Sequence, residues 1–164
     1  MQQQVKVILV CENERIPVDI GVVQKSTILK NMIEDTGKEG EIPIPNMKLT
    51  ILKKVIAFCE HYINSDPKEI PKPLKSKDLL ENGIAEWDVS FIEELEVDDL
   101  IDLIVAANFL DISSLLNLGC AKMASLIKGK SVEELREMFG IVNDFTPEEE
   151  AKLREENKWA SEVL

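Results

Sequence analysis

Residues 97 to 129 read VDDLIDLIVAANFLDISSLLNLGCAKMASLIKG, and this stretch decides the fold. Residues 97–110 place apolar side chains around most of a helix, after two aspartates that suit the positive end of the helix dipole. We therefore expect a central, buried helix there. Residues 115–129 carry two apolar stripes, so this helix needs two neighbours. The stripes are Leu116, Gly119, Cys120, Met123 and Ile127 on one side and Leu115, Leu118 and Leu126 on the other.

The chain before this stretch alternates short apolar strands with helical patterns. Residues 4–10 are β-branched and apolar enough for a strand, and residues 16–18 give a return strand after a turn. Ser26 is placed to cap a helix, and residues 41–45 read as a third short strand that its prolines restrict to an edge or an end. Asn46 then suits the N-cap of an amphipathic helix of about four and a half turns. The pattern predicts a hairpin, a third strand and flanking helices.

Residues 64–83 interrupt the helical pattern. They contain three prolines and four lysines without a sustained apolar period, which predicts a mobile surface loop.

The last part of the chain is acidic and poor in apolar residues. Ser131 with Glu134, and Thr146 with Glu149, match the capping-box pattern, and Pro147 fits the first helical position. Two short helices follow, whose apolar area is too small to offset chain entropy as a separate core. The apolar residues of this end therefore suit either ordinary core positions or a partner groove. They are Leu116, Cys120, Met123, Phe139, Ile141 and Trp159.

Composition narrows the function classes. The net charge is −12, and residues 81–102 hold nine acidic side chains and no Lys or Arg. Such a surface repels phosphate backbones and anionic membranes, so we expect neither nucleic acid nor membrane as a partner. One histidine and three scattered cysteines do not suggest a metal site or a disulfide framework, and no phosphate-binding loop or nucleophile motif is present. We expect an intracellular protein that is not an enzyme, with reduced thiols, no cofactor and no small-molecule substrate.

Five segments together resemble the S-phase kinase-associated protein family, the adaptors of SCF ubiquitin ligases. They are ILKKVIAFCEHY, WDVSF, LIVAANFLDISSLL, IKGKSVEELREMFGI and NDFTPEEEAKLREENKW. The resemblance implies an α/β BTB/POZ fold with a small three-stranded sheet over residues 1–128, the 64–83 loop included. It also implies a C-terminal two-helix extension over residues 129–164. The family's loop is often strongly acidic, whereas this one bears lysines.

The resemblance implies a non-catalytic adaptor that bridges a cullin N-terminal domain to F-box proteins in ubiquitin-dependent degradation, in the cytoplasm and nucleus. Asn108 and Phe109 match the motif that faces the cullin, where the family commonly has Tyr in place of Phe109. The matching F-box positions are Leu116, Cys120, Met123, Phe139, Ile141, Asn157 and Trp159. Some lineages of the family hydroxylate the proline that corresponds to Pro147. The alternative is a structural subunit of a chromosomal or cytoskeletal assembly, which the same apolar surface allows.

Overall fold

A computed structural model describes residues 6–36 and 41–161 of the chain. It separates into two compact units, Met1–Lys128 and Gly129–Leu164, which are described in turn.

A three-stranded sheet lies in the first unit. Its strands are β1 (Lys6–Cys11), β2 (Glu14–Asp19) and β3 (Glu41–Pro43), in the order β2-β1-β3. β1 pairs antiparallel with β2 and parallel with β3. Glu12 and Asn13 join the hairpin with φ of 47° and 67°, and two positive φ angles are what a tight two-residue turn requires. The prediction of three strands, with the third at an edge of the sheet, is confirmed.

Among the described residues, six helices follow the hairpin or the third strand in the first unit. The buried Ser26 caps the helix that begins at Thr27, because its Oγ accepts a hydrogen bond from the Leu29 N–H at 3.1 Å. The same hydroxyl donates to the Leu110 carbonyl. The helices are α1 (Ile20–Val23), α2 (Thr27–Thr36), α3 (Leu49–His61), α4 (Glu86–Glu93), α5 (Val97–Phe109) and α6 (Ser113–Ile127). The short α1 was not predicted from the sequence.

The predicted start of α3 is wrong. Asn46 has a φ of 58° and lies before the helix, which begins at Leu49 and has 13 residues. Lys48 occupies the N-cap position without a side-chain cap bond, and Glu12 Oε2 instead accepts from the Leu49 N–H at 3.2 Å. The hydrogen bond to the first N–H of α3 therefore comes from the β1–β2 turn and not from a residue next to the helix.

Only one face of α5 packs into the core of the first unit. Leu100, Leu103, Ala106 and Ala107 are buried, which confirms part of the prediction. The opposite side is not covered, since Val105 is 61% exposed and is joined there by Ile101 and Phe109. The expectation of a central, buried helix is wrong for this face.

α5 and α6 pack closely at one glycine. A Cβ at Gly119 would lie 2.6 Å from Ile104 Cγ1, which is closer than real Cβ contacts. A side chain at this position would therefore overpack the interface between the two helices.

Residues 64–83 form an irregular segment with a single 3-10 turn at Leu80–Asn82. The buried Asn82 accepts from the Lys75 N–H at 2.7 Å and donates to the Ser76 and Asp78 carbonyls at 2.8 and 2.6 Å. Leu79 is also buried. The segment is thus anchored at its C-terminal end, and the mobility of the loop stays a prediction.

The second unit contains α7 (Val132–Phe139), α8 (Pro147–Glu156) and the short α9 (Lys158–Ser161). Both capping boxes are confirmed: Ser131 accepts from the Glu134 N–H and Thr146 from the Glu149 N–H, and each glutamate returns a bond. α7 and α8 have no buried residue. The structure therefore has the predicted α/β class with C-terminal helices, and a short third helix follows the two that were predicted.

Among the described residues, no helix combines the length and the apolarity needed to cross a membrane.

Candidate partner-binding surfaces

One face of α6 is left partly uncovered. Its buried stripe contains Leu115, Leu118 and Ala121, which pack into the core of the first unit. The other face carries Leu116 and Met123, which are half-buried against that core, and Cys120, which is exposed. Spacings of four and three residues place these three side chains on one side of the helix. Three of the predicted F-box positions thus share one face.

The second unit exposes most of its large apolar side chains. Ile141 is 57% and Trp159 67% exposed, whereas Phe139 is half-buried. Asn157 ends α8 and donates from Nδ2 to the Leu153 carbonyl at 2.8 Å, so it fixes the backbone just before α9. Exposure of this many apolar side chains on a small unit is typical of a surface that a partner covers.

Phe109 and Val105 line a groove of about 640 Å³ in the first unit. Phe109 is 44% exposed and, with the neighbouring exposed Asn108, ends α5. Lys48 Nζ lies 2.6 Å from Asp102 Oδ2 and 3.6 Å from Asp99 Oδ1, and these carboxylates raise the pKa of Lys48. The full lining is Glu12, Ile44, Pro45, Asn46, Met47, Lys48, Ile51, Asp102, Val105, Ala106 and Phe109.

This groove suits an apolar side chain better than a reacting substrate. Its apolar wall comes from α5 and the β3–α3 connection, and the charges of Lys48 and Asp102 are already paired with each other. An apolar groove with a polar rim is the usual form of a protein docking site. Of the two residues that the sequence analysis named for this surface, Phe109 lines the groove and its neighbour Asn108 does not; the other lining residues were missed. The signal for Val105 was present, because it lies one helical turn before Phe109 on the same face.

Other titratable groups lie in the core of the first unit. Burial raises the pKa of the Cys59 thiol to about 12 and also raises that of Cys11, so both are held as thiols. Burial raises the pKa of Asp88 as well, although the Tyr62 hydroxyl donates to its carboxylate at 2.8 Å. In the part of the chain that the structure describes, no cluster of three or more His, Cys, Asp or Glu is placed to hold a metal ion.

Comparison with known proteins gives two family matches. Residues 5–64 match the model described as Skp1 family, tetramerisation domain, and residues 113–160 match Skp1 family, dimerisation domain. The two matches fall on the N-terminal half of the first unit and on α6 with the second unit. They support the BTB/POZ-type fold with C-terminal helices.

Similar proteins come from a ciliate and from fungi. The S-phase kinase-associated protein 1 homolog of Tetrahymena thermophila is 54% identical over 156 residues, which is 95% of this chain and 93% of the relative. The E3 ubiquitin ligase complex SCF subunit sconC of Arthroderma benhamiae is 47% identical over 142 residues, 86% of this chain and 85% of the relative. The protein of the same name in Aspergillus flavus is 47% identical over 148 residues, 90% of each chain.

On the strength of the two family matches and of relatives this similar along this much of their length, the chain belongs to the Skp1 family.

Proposed function

We propose that the protein is a non-catalytic adaptor of an SCF-type E3 ubiquitin ligase, which joins an F-box protein to the N-terminal domain of a cullin. The observation that carries the proposal is the apolar surface of the second unit, whose helices α7 and α8 bury no residue while Trp159 is 67% exposed. Relatives of nearly the same length are named as SCF subunits, which supports the assignment.

The F-box surface consists of two parts. Leu116, Cys120 and Met123 supply the α6 face of the first unit. The second unit supplies Phe139, Ile141, Asn157 and Trp159. Met and aromatic side chains adapt well to an apolar partner helix, and a large exposed ring such as Trp159 suits a central anchor.

Removal of residues 131–164 tests the F-box assignment. We expect the shortened chain to retain the unfolding transition of the first unit, because the buried core lies there. We expect it to lose binding to an F-box peptide, measured by titration calorimetry. Retained binding by a folded truncation would contradict the assignment.

Trp159→Ala tests the anchor within the whole chain. We expect a loss of about 2 kcal/mol or more, about 30-fold in affinity, if the ring fills a pocket of the F-box. Lys152→Ala on α8 is the control, since its side chain is 77% exposed. Equal affinity of the two variants would place Trp159 at the rim.

The groove beside Phe109 is the proposed cullin contact. Phe109→Ala should weaken binding to a cullin N-terminal domain and leave F-box affinity unchanged, because the two surfaces use different residues. Phe109→Tyr restores the hydroxyl that the family commonly has there, so it should bind the cullin at least as tightly as the wild type. An unchanged cullin affinity in Phe109→Ala would exclude the groove.

Pro147 is a proposed hydroxylation site of secondary importance. It is exposed at the first position of α8, where proline also has a purely structural role. Intact mass of the protein from its own cells tests this, since an unmodified mass excludes hydroxylation.

The charge and the motifs limit the partners that are proposed. With a net charge of −12, nucleic acid and anionic membranes are not proposed as partners. Small-molecule substrates are not proposed either, because the sequence contains no phosphate-binding loop or nucleophile motif. The proposed location is the cytoplasm and nucleus. No feature of the fold or the relatives favours the alternative of a chromosomal or cytoskeletal subunit. That alternative would be supported if light scattering detected a discrete homo-oligomer whose size did not change when an F-box partner was added.

A further inference from the structure

Several charged side chains connect α7 and α8. Neither helix has a fully buried residue, so little apolar area is available to fix the angle between them. The centre of the charged connections is Glu150, a first-turn residue of α8.

Three side chains converge on the Glu150 carboxylate. Arg136 Nη1 of α7 donates to Oε1 at 3.2 Å, Arg154 Nη2 donates to the same oxygen at 3.4 Å, and Asn143 Nδ2 donates to Oε2 at 3.4 Å. Arg136 and then Arg154 lower the pKa of Glu150, so it is ionised at neutral pH. The carboxylate therefore ties α7, the α7–α8 connection and α8 to one point.

A second tie joins the helices one turn away. Arg154 Nη2 also donates to Glu133 Oε1 in the first turn of α7. Glu133 and Arg136 are three residues apart on α7, and Glu150 and Arg154 are four apart on α8, so each pair lies on one face of its helix. Two ion pairs, about one helical turn apart, restrict rotation of one helix against the other. A single ion pair would leave that rotation free.

The tie at Arg136 is also sheltered. Its side chain is 18% and that of Glu150 28% exposed, and the Arg136 guanidinium lies over the Phe145 ring, 6.0 Å from the centroid. The Arg136 carbonyl accepts from the Ile141 N–H at 2.8 Å, where the chain leaves α7. Partial burial and a network of charges are the conditions under which surface ion pairs contribute measurably.

We propose that Glu133, Arg136, Glu150 and Arg154, the α7–α8 clamp, are positioning residues that hold the two helices in the binding arrangement before the F-box arrives. This rests on the proposed F-box-binding function of the second unit. Without the clamp the helices sample other angles. The apparent affinity for the F-box then falls in proportion to the fraction of chains that still hold the binding arrangement. The clamp acts through the helices and is distinct from the apolar positions that bind the F-box.

Glu150→Gln tests the clamp, because it removes the charge and keeps the side-chain shape. The matched control is Glu148→Gln, which makes the same charge change in the same first turn at a residue that has no ion pair among the described residues. Both are made in the full chain and titrated with an F-box peptide. A retained unfolding transition of the first unit verifies that each variant folds.

We expect Glu150→Gln to weaken F-box binding roughly fivefold, and Glu148→Gln to leave it unchanged. The loss should appear in the association rate, since fewer chains are competent at encounter, whereas loss of a direct contact raises the dissociation rate. Arg136→Gln should produce a similar loss, and the double variant should lose no more than either single one. Raised salt should weaken wild-type binding more than that of Glu150→Gln.

Equal affinity of the Glu150→Gln and Glu148→Gln variants would overturn the clamp, as would a loss confined to the dissociation rate. Failure of the wild-type chain to bind any F-box would instead overturn the proposed function. The clamp is then judged in the free chain by amide hydrogen exchange. Faster exchange in α8 of Glu150→Gln than of Glu148→Gln supports it, and equal exchange overturns it.

Discussion

The two units of this protein are stabilised by different physical means. The first unit buries a continuous set of aliphatic and aromatic side chains from its sheet and six helices. The second has two capping boxes and a network of ion pairs, with no buried residue in α7 or α8. A unit with a core keeps its shape alone, whereas a unit without one has a shape that charge, salt and a partner can change. The expected effects below separate the two, from the largest to the smallest.

Leu103→Ala should have the largest effect. Leu103 is 0% exposed in α5, and truncation of such a leucine leaves a cavity and costs about 3 kcal/mol or more of unfolding free energy. Leu153→Ala on α8, at 38% exposure, should cost less than about 1 kcal/mol. Chemical denaturation of both variants measures the difference. Similar losses would show that the second unit has a core after all.

Thr146→Ala should have a smaller effect that is confined to the second unit. It removes the side chain that accepts the Glu149 N–H, and the loss of such a cap costs about 1 kcal/mol of helix stability. Amide hydrogen exchange of α8 should quicken while that of α5 stays unchanged. Thr50→Ala is the control, because Thr50 is an exposed residue in the first turn of α3, where no side-chain cap bond forms. Slower or unchanged exchange in α8 would show that its start is fixed by other contacts.

Asp88→Asn should have the smallest effect, and its sign depends on pH. Burial raises the folded-state pKa of Asp88 despite the bond from Tyr62 and the charge of His61. The folded state therefore takes up a proton at a higher pH than the unfolded state does. This proton uptake increases the unfolding free energy of the wild type as the pH falls through the folded-state pKa of Asp88. The increase is lost as the pH rises again.

The Asn variant lacks this proton uptake. Its unfolding free energy relative to the wild type should be highest near neutral pH and should decline as the pH falls through the folded-state pKa of Asp88. Denaturation curves at pH values above and below that pKa give the difference. A relative stability that does not change with pH would mean that Asp88 is not desolvated in solution. Charges in the second unit should behave oppositely, because Arg136 and Arg154 lower the pKa of Glu150 and acid weakens that tie.

Local chemistry explains which features could be predicted. Capping boxes at Ser131 and Thr146 depend on residues three positions apart, and the hairpin depends on the alternation of strand and turn residues, so a short stretch specifies each. The start of α3 was wrong for the opposite reason. The bond to Leu49 comes from Glu12, 37 positions away, and nothing near Asn46 indicates it.

The candidate surfaces show the same limit. The stripe on α6 was predicted because its spacing is local. The groove at Phe109 was not, since its walls come from the β3–α3 connection and from α5, which only the fold brings together. Composition also could not show that Val105 and Ile101 stay uncovered on a helix that is apolar on nearly every side. The clamp escaped prediction because charged residues at helical spacing are usually independent and solvated.

The missing side chain at Gly119 has a consequence for how a ligase would be built. It lets Ile104 of α5 place its Cγ1 only 2.6 Å from where a Cβ of residue 119 would lie, so the spacing of α5 and α6 is set by direct contact. One of these helices carries the proposed cullin residues and the other carries part of the proposed F-box surface. An F-box protein and a cullin that bind these two helices would therefore be held at a fixed distance from each other. One methyl group added at residue 119 could change that distance without contacting either partner.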